Sequence, residues 1–215
     1  MVDETKNSLE RAGLIPVLRA QSMEMGRALV DAMMAGGVTV IEVTMTVPNA
    51  IVLLRELKQK YGDGLLLGSG TVTDAAQAQA TIEAGAEFVV SPSLHLDVIE
   101  TTKELGKVSI PGALTPTEVI TAWRAGADYV KVFPCSAMGG ANYLKALLAP
   151  FPELKLIPTG GVTFQTAMDF LKAGACALGV GSDLVNATAI ADGKPEIVTN
   201  TARAYVDIIR AARDS

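Results

Sequence analysis

Two ionisable side chains stand inside apolar runs, where charge is costly. Lys131 lies in Tyr129-Val130-Lys131-Val132-Phe133-Pro134 and Glu42 in Val40-Ile41-Glu42-Val43-Thr44-Met45. Their neighbours are mostly β-branched, aromatic or aliphatic, so both runs read as buried strands. An apolar interior excludes an ammonium unless it is paired or its pKa falls far enough for the neutral amine to exist, and a neutral buried amine is a nucleophile. A carboxyl in the same interior is a plausible proton shuttle. The alternative is a structural ion pair between the two, and in an active site both readings hold at once.

Such residues need a scaffold, and its period is legible. Apolar runs at 14–19, 40–45, 65–70, 88–93, 108–113, 129–134, 155–161 and 177–182 alternate with helical spacing. The helical segments are 23–35, 50–60, 74–84, 95–105, 117–125, 143–148 and 164–173. Ala-Gly-Gly at 35–37 and Ala-Gly-Ala at 84–86, 125–127 and 173–175 close helices before strands. A glycine just past a helix end takes the left-handed cap at little steric cost. The signal recurs every two βα units, so the chain divides into four similar quarters. This predicts an α/β fold, the (β/α)₈ TIM barrel, with flanking helices at 4–12 and 197–213. Composition does not break along the 215 residues, which points to a single domain over 1–215. An open doubly wound sheet fits less well, because the first strand leads into Leu18-Arg19-Ala20-Gln21-Ser22 and not into a Gly-x-Gly-x-x-Gly turn.

In such a barrel chemistry belongs at the C-terminal strand ends, and phosphate binds the loops after the seventh and eighth strands. There stand Pro158-Thr159-Gly160-Gly161 and Gly179-Val180-Gly181-Ser182. Their glycines let backbone N–H groups approach phosphate oxygens, while Ser182 adds a hydroxyl and is expected to open a helix that favours an anion. Tight turns would account for either pair taken singly. Arg19, ending the first strand, could clamp a carboxylate bidentately or be an ordinary surface arginine. Thr71 could hydrogen-bond a carboxylate or carbonyl, though a glycine-rich turn before a helix would look the same. Thr44, Thr46 and Thr159 offer hydroxyls, yet threonine also suits strands by propensity. Pro92 and Pro111 read as shaping strand ends. His95, the only histidine, reads as structural; Lys145 lacks a strand context; Cys135 lies near the site without an identifiable base.

Several classes are disfavoured. A net charge of −5 leaves no electrostatic footprint for nucleic acid. No apolar stretch approaches a membrane span. The opening Met1-Val2-Asp3-Glu4 lacks the basic end of a secretory signal, giving a cytoplasmic expectation. Cys135 and Cys176 read as reduced thiols, and neither a metal nor another cofactor is expected.

Taken in order, Ile41-Glu42-Val43-Thr44, Gly68-Ser69-Gly70-Thr71, Val90-Ser91-Pro92, Pro111-Gly112, Lys131-Val132-Phe133-Pro134, Ala149-Pro150-Phe151-Pro152 and the two glycine motifs resemble a known family. It comprises the class I pyruvate aldolases that cleave 2-keto-3-deoxy-6-phosphogluconate (KDPG) and 2-keto-4-hydroxyglutarate (KHG), and the likeness covers about residues 15–184. The resemblance implies a (β/α)₈ homotrimer, with Lys131 as the Schiff-base lysine and Glu42 as the acid/base. It also implies Thr71 near the pyruvate moiety and phosphate around Gly160, Gly161, Gly181 and Ser182, with Pro92 and Thr159 among the substrate-binding positions. The partner implied is a small 2-keto acid phosphate, cleaved to pyruvate and glyceraldehyde 3-phosphate, with KHG as a second substrate. One departure stands out. Some members carry arginine four residues after the glutamate, where this chain has Thr46; others end the first strand in Val-Leu-Arg, as Val17-Leu18-Arg19 does here, so the carboxylate is assigned to Arg19. Galactonate-type enzymes share the arginine, lysine and glutamate, while Pro158-Thr159 looks more like the gluconate type. A metal-independent sugar-phosphate isomerase and a silent barrel serving as an assembly subunit are the competing readings.

Overall fold

The computed structural model describes residues 2–213; Met1, Asp214 and Ser215, the ends of the expected 1–215 span, lie outside the described residues. The strands are β1 (Leu14–Leu18), β2 (Val40–Thr44), β3 (Leu66–Gly70), β4 (Phe88–Val90), β5 (Val108–Ile110), β6 (Gly112–Ala113), β7 (Val130–Val132), β8 (Leu156–Pro158) and β9 (Leu178–Val180). All pair in parallel, in the orders β5-β4-β3-β2-β1-β9 and β6-β7-β8. Two junctions close the ring. Thr159 bridges Gly179 between the ends of β8 and β9. β5 and β6 are one barrel strand divided at Pro111, which has no N–H to give the ladder although its carbonyl still accepts from Lys131 N at 2.9 Å. The result is the expected (β/α)₈ barrel, with the fifth strand in two pieces.

The helices are α1 (Val2–Ala12), α2 (Met23–Ala35), α3 (Ala50–Tyr61), α4 (Ala75–Glu83), α5 (Leu96–Glu104), α6 (Pro116–Arg124), α7 (Ala141–Leu148), α8 (Phe164–Lys172), α9 (Ala187–Ala191) and α10 (Pro195–Arg213). Their starts are chemically marked. Ser22 and Asp74 accept hydrogen bonds from the backbone N–H of Met25 and Gln77, and Thr115 with Glu118 forms a reciprocal capping box before Pro116. At the first repeated helix end Gly37, not Gly36, takes the positive φ of 95°. Gly36 serves closeness instead, since a Cβ there would press on Ala202 and the Thr199 carbonyl of α10. The short α9 escapes a reading by period, because five residues carry little more than one helical turn.

The outer core fills the space between strands and helices, as Leu29, Met33, Leu53, Val130, Leu144 and Phe170 illustrate. A second cluster occupies the lower barrel, where Ile15, Val40, Phe88, Val108, Tyr129 and Ile157 meet Leu9 of α1. Thus α1 plugs the pole opposite the strand C-termini. Polar contacts hold the plug: Glu10 accepts from Tyr129 Oη and Lys155 Nζ, each at 2.7 Å, and Lys6 pairs with Asp128 at 3.3 Å. Burial pushes the Glu10 pKa up, but the hydrogen bonds from Lys155 and Tyr129 and the nearby charges of Lys155 and Lys6 together outweigh it, leaving the carboxyl below its usual 4.5. A folded pKa below the unfolded one gives stability that is present above the unfolded value and is lost as pH falls through the folded one. Glu10→Gln is therefore expected to destabilise at neutral pH by no more than about 1 kcal/mol, because solvent screens this part-exposed pair. The gap from wild type should close below pH 4.5 in paired thermal melts, and a gap that widened in acid would refute the assignment.

Candidate active site

Lys131 and Glu42 approach each other from opposite walls of the barrel. Lys131 lies between Gly112 and Ile157 in the β6-β7-β8 register, and Glu42 between Val17 and Gly68 in β1-β2-β3. Lys131 Nζ stands 3.7 Å from Glu42 Oε1, and the two residues are only 5% and 2% exposed. That spacing keeps the charges paired but exceeds a hydrogen bond, and Glu42 Oε1 has no hydrogen-bond partner among the described residues. Lys131 Nζ also lies 5.5 Å from the centroid of the Phe133 ring.

Missing side chains make the space. A Cβ on Gly70 would fall inside the van der Waals envelope of Glu42 Oε1, and one on Gly112 would strike the Pro92 backbone. The glycine-rich end of β3 is thus more than a turn before α4. Gly70→Ala is expected to displace the Glu42 carboxylate and lower kcat by about 10²-fold, the scale on which small misplacements of catalytic groups act. Steady-state kinetics on a variant verified to be folded would check this, and wild-type kcat would show that Glu42 needs no such room.

The remaining expected residues gather at the same pole. Arg19 follows β1, exposed and without a side-chain partner among the described residues. Thr71 follows β3 with φ of 61°, a left-handed conformation that is costly for a β-branched residue and marks a strained position. Half-buried Pro92 follows β4, its carbonyl group against Gly112. Buried Thr159 follows β8 with its hydroxyl against Gly179, where any Cβ would collide with it. Gly160 and Gly161 both have positive φ, 83° and 75°, and a Cβ on Gly161 would overlap Ser136 Oγ. Turn geometry therefore explains these two. Gly181 differs: it is absent from the positive-φ glycines and a Cβ there would meet nothing within 4 Å. The fold does not demand glycine at 181, which leaves open space beside the backbone.

Ser182 corrects an expectation. It lies in a turn in which Leu184 and Val185 donate N–H to Gly181 O at 3.1 and 2.8 Å, and α9 begins at Ala187, capped by Asn186. Ser182 therefore offers an exposed hydroxyl but no helix start. The helix N-terminus at this corner is that of α8, and its Phe164 N–H already donates to Asp183 Oδ2 at 3.1 Å. Tyr205 Oη donates to the same oxygen at 2.5 Å. Asp183 thus ties the two glycine loops to α10. Reading by motif passed it over, since its partners are 19 and 22 residues away.

The weaker candidates resolve differently. His95 shares a hydrogen bond of 2.9 Å with Ser93 Oγ just before α5, as a structural residue would. Burial pushes the Cys135 thiol up to about 11, and its Sγ faces Gly140 O, so it is no ready thiolate. No group of three or more His, Cys, Asp or Glu side chains among the described residues is placed to hold a metal. Among those residues no helix is long and apolar enough to cross a membrane. A cavity of about 540 Å³ adjoins the glycine loop at Gly161 and Ser136, and one of about 550 Å³ lies at the α1 pole beside Arg11 and Arg213; neither contains Lys131 or Glu42.

Comparison with known proteins follows the same lines. The family model described as aldolase, KDPG and KHG aldolase, matches residues 5–201. The 2-dehydro-3-deoxy-6-phosphogalactonate aldolase of Escherichia coli K12 is 32% identical over 203 residues, covering 94% of this chain and 95% of that protein. The 2-dehydro-3-deoxy-phosphogluconate aldolase of Treponema pallidum is 33% identical over 202 residues, covering 94% and 96%. Among solved structures, the KDPG aldolase of Legionella pneumophila, with pyruvate captured at low pH as a covalent carbinolamine intermediate, matches with a TM-score of 0.86. It is 30% identical, with 94% of this chain and 97% of that one covered.

Proposed function

Because the chain belongs to the KDPG and KHG aldolase family and is thus an aldolase, a lyase, we propose that it forms a Schiff base at Lys131 and cleaves KDPG to pyruvate and glyceraldehyde 3-phosphate. The observation that carries the reading is the buried pair 3.7 Å apart with an unsatisfied carboxylate oxygen. The Lys131 amine attacks the C2 ketone; the carbinolamine loses water, with Glu42 moving the protons, and an iminium results. That cation is the electron sink. Glu42, directly or through a water, removes the C4 hydroxyl proton, the C3–C4 bond breaks, and its electron pair flows into the iminium to leave an enamine and glyceraldehyde 3-phosphate. Protonation at C3 and addition of water then release pyruvate and the free amine.

Arg19 binds the carboxylate at one end, with Thr71 and Pro92 beside the pyruvate portion. Gly160, Gly161, Gly181 and Ser182 receive the phosphate at the other, and Thr159 borders the reacting carbons. Holding both ends fixes the scissile bond between amine and carboxylate. The open space beside Gly181 favours the phosphate reading over a mere turn. KHG, cleaved to pyruvate and glyoxylate, is a second substrate that forgoes the phosphate contacts. The galactonate epimer is the one other reading with an observation behind it, since relatives of both types lie at 32% and 33% identity. By the family resemblance the active form is a cytoplasmic homotrimer.

Side-by-side assays of KDPG, its C4 epimer and KHG test the proposal. KDPG is expected to give the highest kcat/KM, by about 10-fold or more over KHG, as loss of one or two charge-assisted phosphate contacts implies. Preference for the C4 epimer would move the assignment to the galactonate type, and equal rates on KHG would remove phosphate from the recognition.

A further inference from the structure

Thr44 is completely buried at the top of β2, one strand away from Arg19 and in register with Gly70. Its Oγ1 donates to the carbonyl oxygen of Leu18 at 2.8 Å, the residue immediately before Arg19. The same oxygen lies 2.7 Å from the hydroxyl of Thr46, which is exposed at the barrel mouth. Donor counting settles the direction of that second bond. A threonine hydroxyl carries one proton, and a carbonyl can only accept. The Thr44 proton is therefore spent on Leu18, and Thr46 must be the donor to Thr44. Thr46 then presents only lone pairs to the site. A carboxylate is acceptor-only, so Thr46 gives it nothing, whereas Arg19 brings five N–H donors and has no competing partner among the described residues.

We infer that Thr44 is a positioning residue for substrate-carboxylate recognition: it pins the end of β1 beneath Arg19 and, by occupying the Thr46 proton, leaves the carboxylate to Arg19. The inference rests on the assignment of Arg19 to the carboxylate. At position 46 the structure has a hydroxyl turned inward as a strut. Without the Thr44 bond, the Leu18 carbonyl loses a buried donor and the Leu18–Arg19 peptide gains freedom, so the guanidinium is presented over a wider range of positions. The effect is expected to belong to ligands that carry a carboxylate, because the Thr44 bond goes to the Leu18 carbonyl and not to Glu42, and the Lys131 amine stands on the opposite wall.

The test is borohydride trapping at Lys131 as a function of ketone concentration, with pyruvate and with its neutral methyl ester. Thr44→Val is expected to raise the half-saturating pyruvate concentration about 10-fold, as loss of one buried hydrogen bond implies, while moving the ester less than about twofold. Thr44→Ser should restore the wild-type value. Thr46→Val, at an exposed site that tolerates the change, should raise the pyruvate value by no more than about threefold, because it removes only a bond to Thr44. Arg19→Ala should show the same selectivity for pyruvate, at least as strongly as Thr44→Val. Equal weakening of pyruvate and ester by Thr44→Val, or no weakening of either, would overturn the positioning role. A Thr46→Val effect as large as that of Arg19→Ala would overturn the donor count, and this arm decides even if the Thr44 variant fails to fold. An unselective Arg19→Ala effect would instead remove Arg19 from the carboxylate, which separates failure of the parent assignment from failure of the inference.

Discussion

Lys131→Met is expected to eliminate aldol cleavage altogether. Methionine keeps the length and apolar stem but has no amine, so no imine forms and the C3–C4 bond has no electron sink. The change also leaves Glu42, 2% exposed, without its cation, and removing one member of a buried pair costs about 3–5 kcal/mol. Loss of activity could then be confused with loss of fold. The double variant Lys131→Met/Glu42→Gln separates the two, because neutralising both members removes the uncompensated charge. It should recover most of the stability in denaturant titrations and none of the turnover. Turnover near wild type in either folded variant would end the assignment of Lys131 as the imine-forming residue.

Glu42→Gln should lower kcat by about 10²–10⁴-fold, the range for removing a general acid–base catalyst. The amide keeps the shape, so the room left by Gly70 stays filled as before. What it loses is the capacity to accept the C4 hydroxyl proton and to return it during protonation and hydrolysis. Pyruvate should still be trapped on Lys131, though more slowly, because the amine remains. Single-turnover cleavage compared with trapping rates would resolve these steps. An unchanged cleavage rate would return Glu42 to the role of ion-pair partner.

Much of this architecture was legible because barrel strands buried on both faces exclude charge. Lys131 and Glu42 stood out against Val, Ile and Phe, and the structure brings them to 3.7 Å across the lumen. The βα period and the glycine helix ends carried the barrel. What the chain concealed depends on contacts distant in sequence. Gly70 reads as a turn until the Glu42 carboxylate is seen against it, and no local pattern marks Asp183, whose Oδ2 accepts from Phe164 and Tyr205 far along the chain. The Thr44 strut is similarly hidden, since its partner Leu18 lies 26 residues earlier. Ser182 was misread for a local reason. A Gly-Ser pair after a strand looks like a helix start, but the backbone bonds back to Gly181 O and defers the helix to Asn186.

The proposed cleavage passes through one bond, the one Lys131 Nζ forms with the ketone carbon of the substrate and keeps through to pyruvate. Incubating the protein with pyruvate and borohydride, then mapping the product by peptide mass spectrometry, tests it most directly. The expected result is one reduced pyruvate adduct, on the peptide containing Lys131 and absent from Lys131→Met. No adduct on the folded protein, or an adduct on exposed Lys145 instead, would contradict the Schiff-base reading.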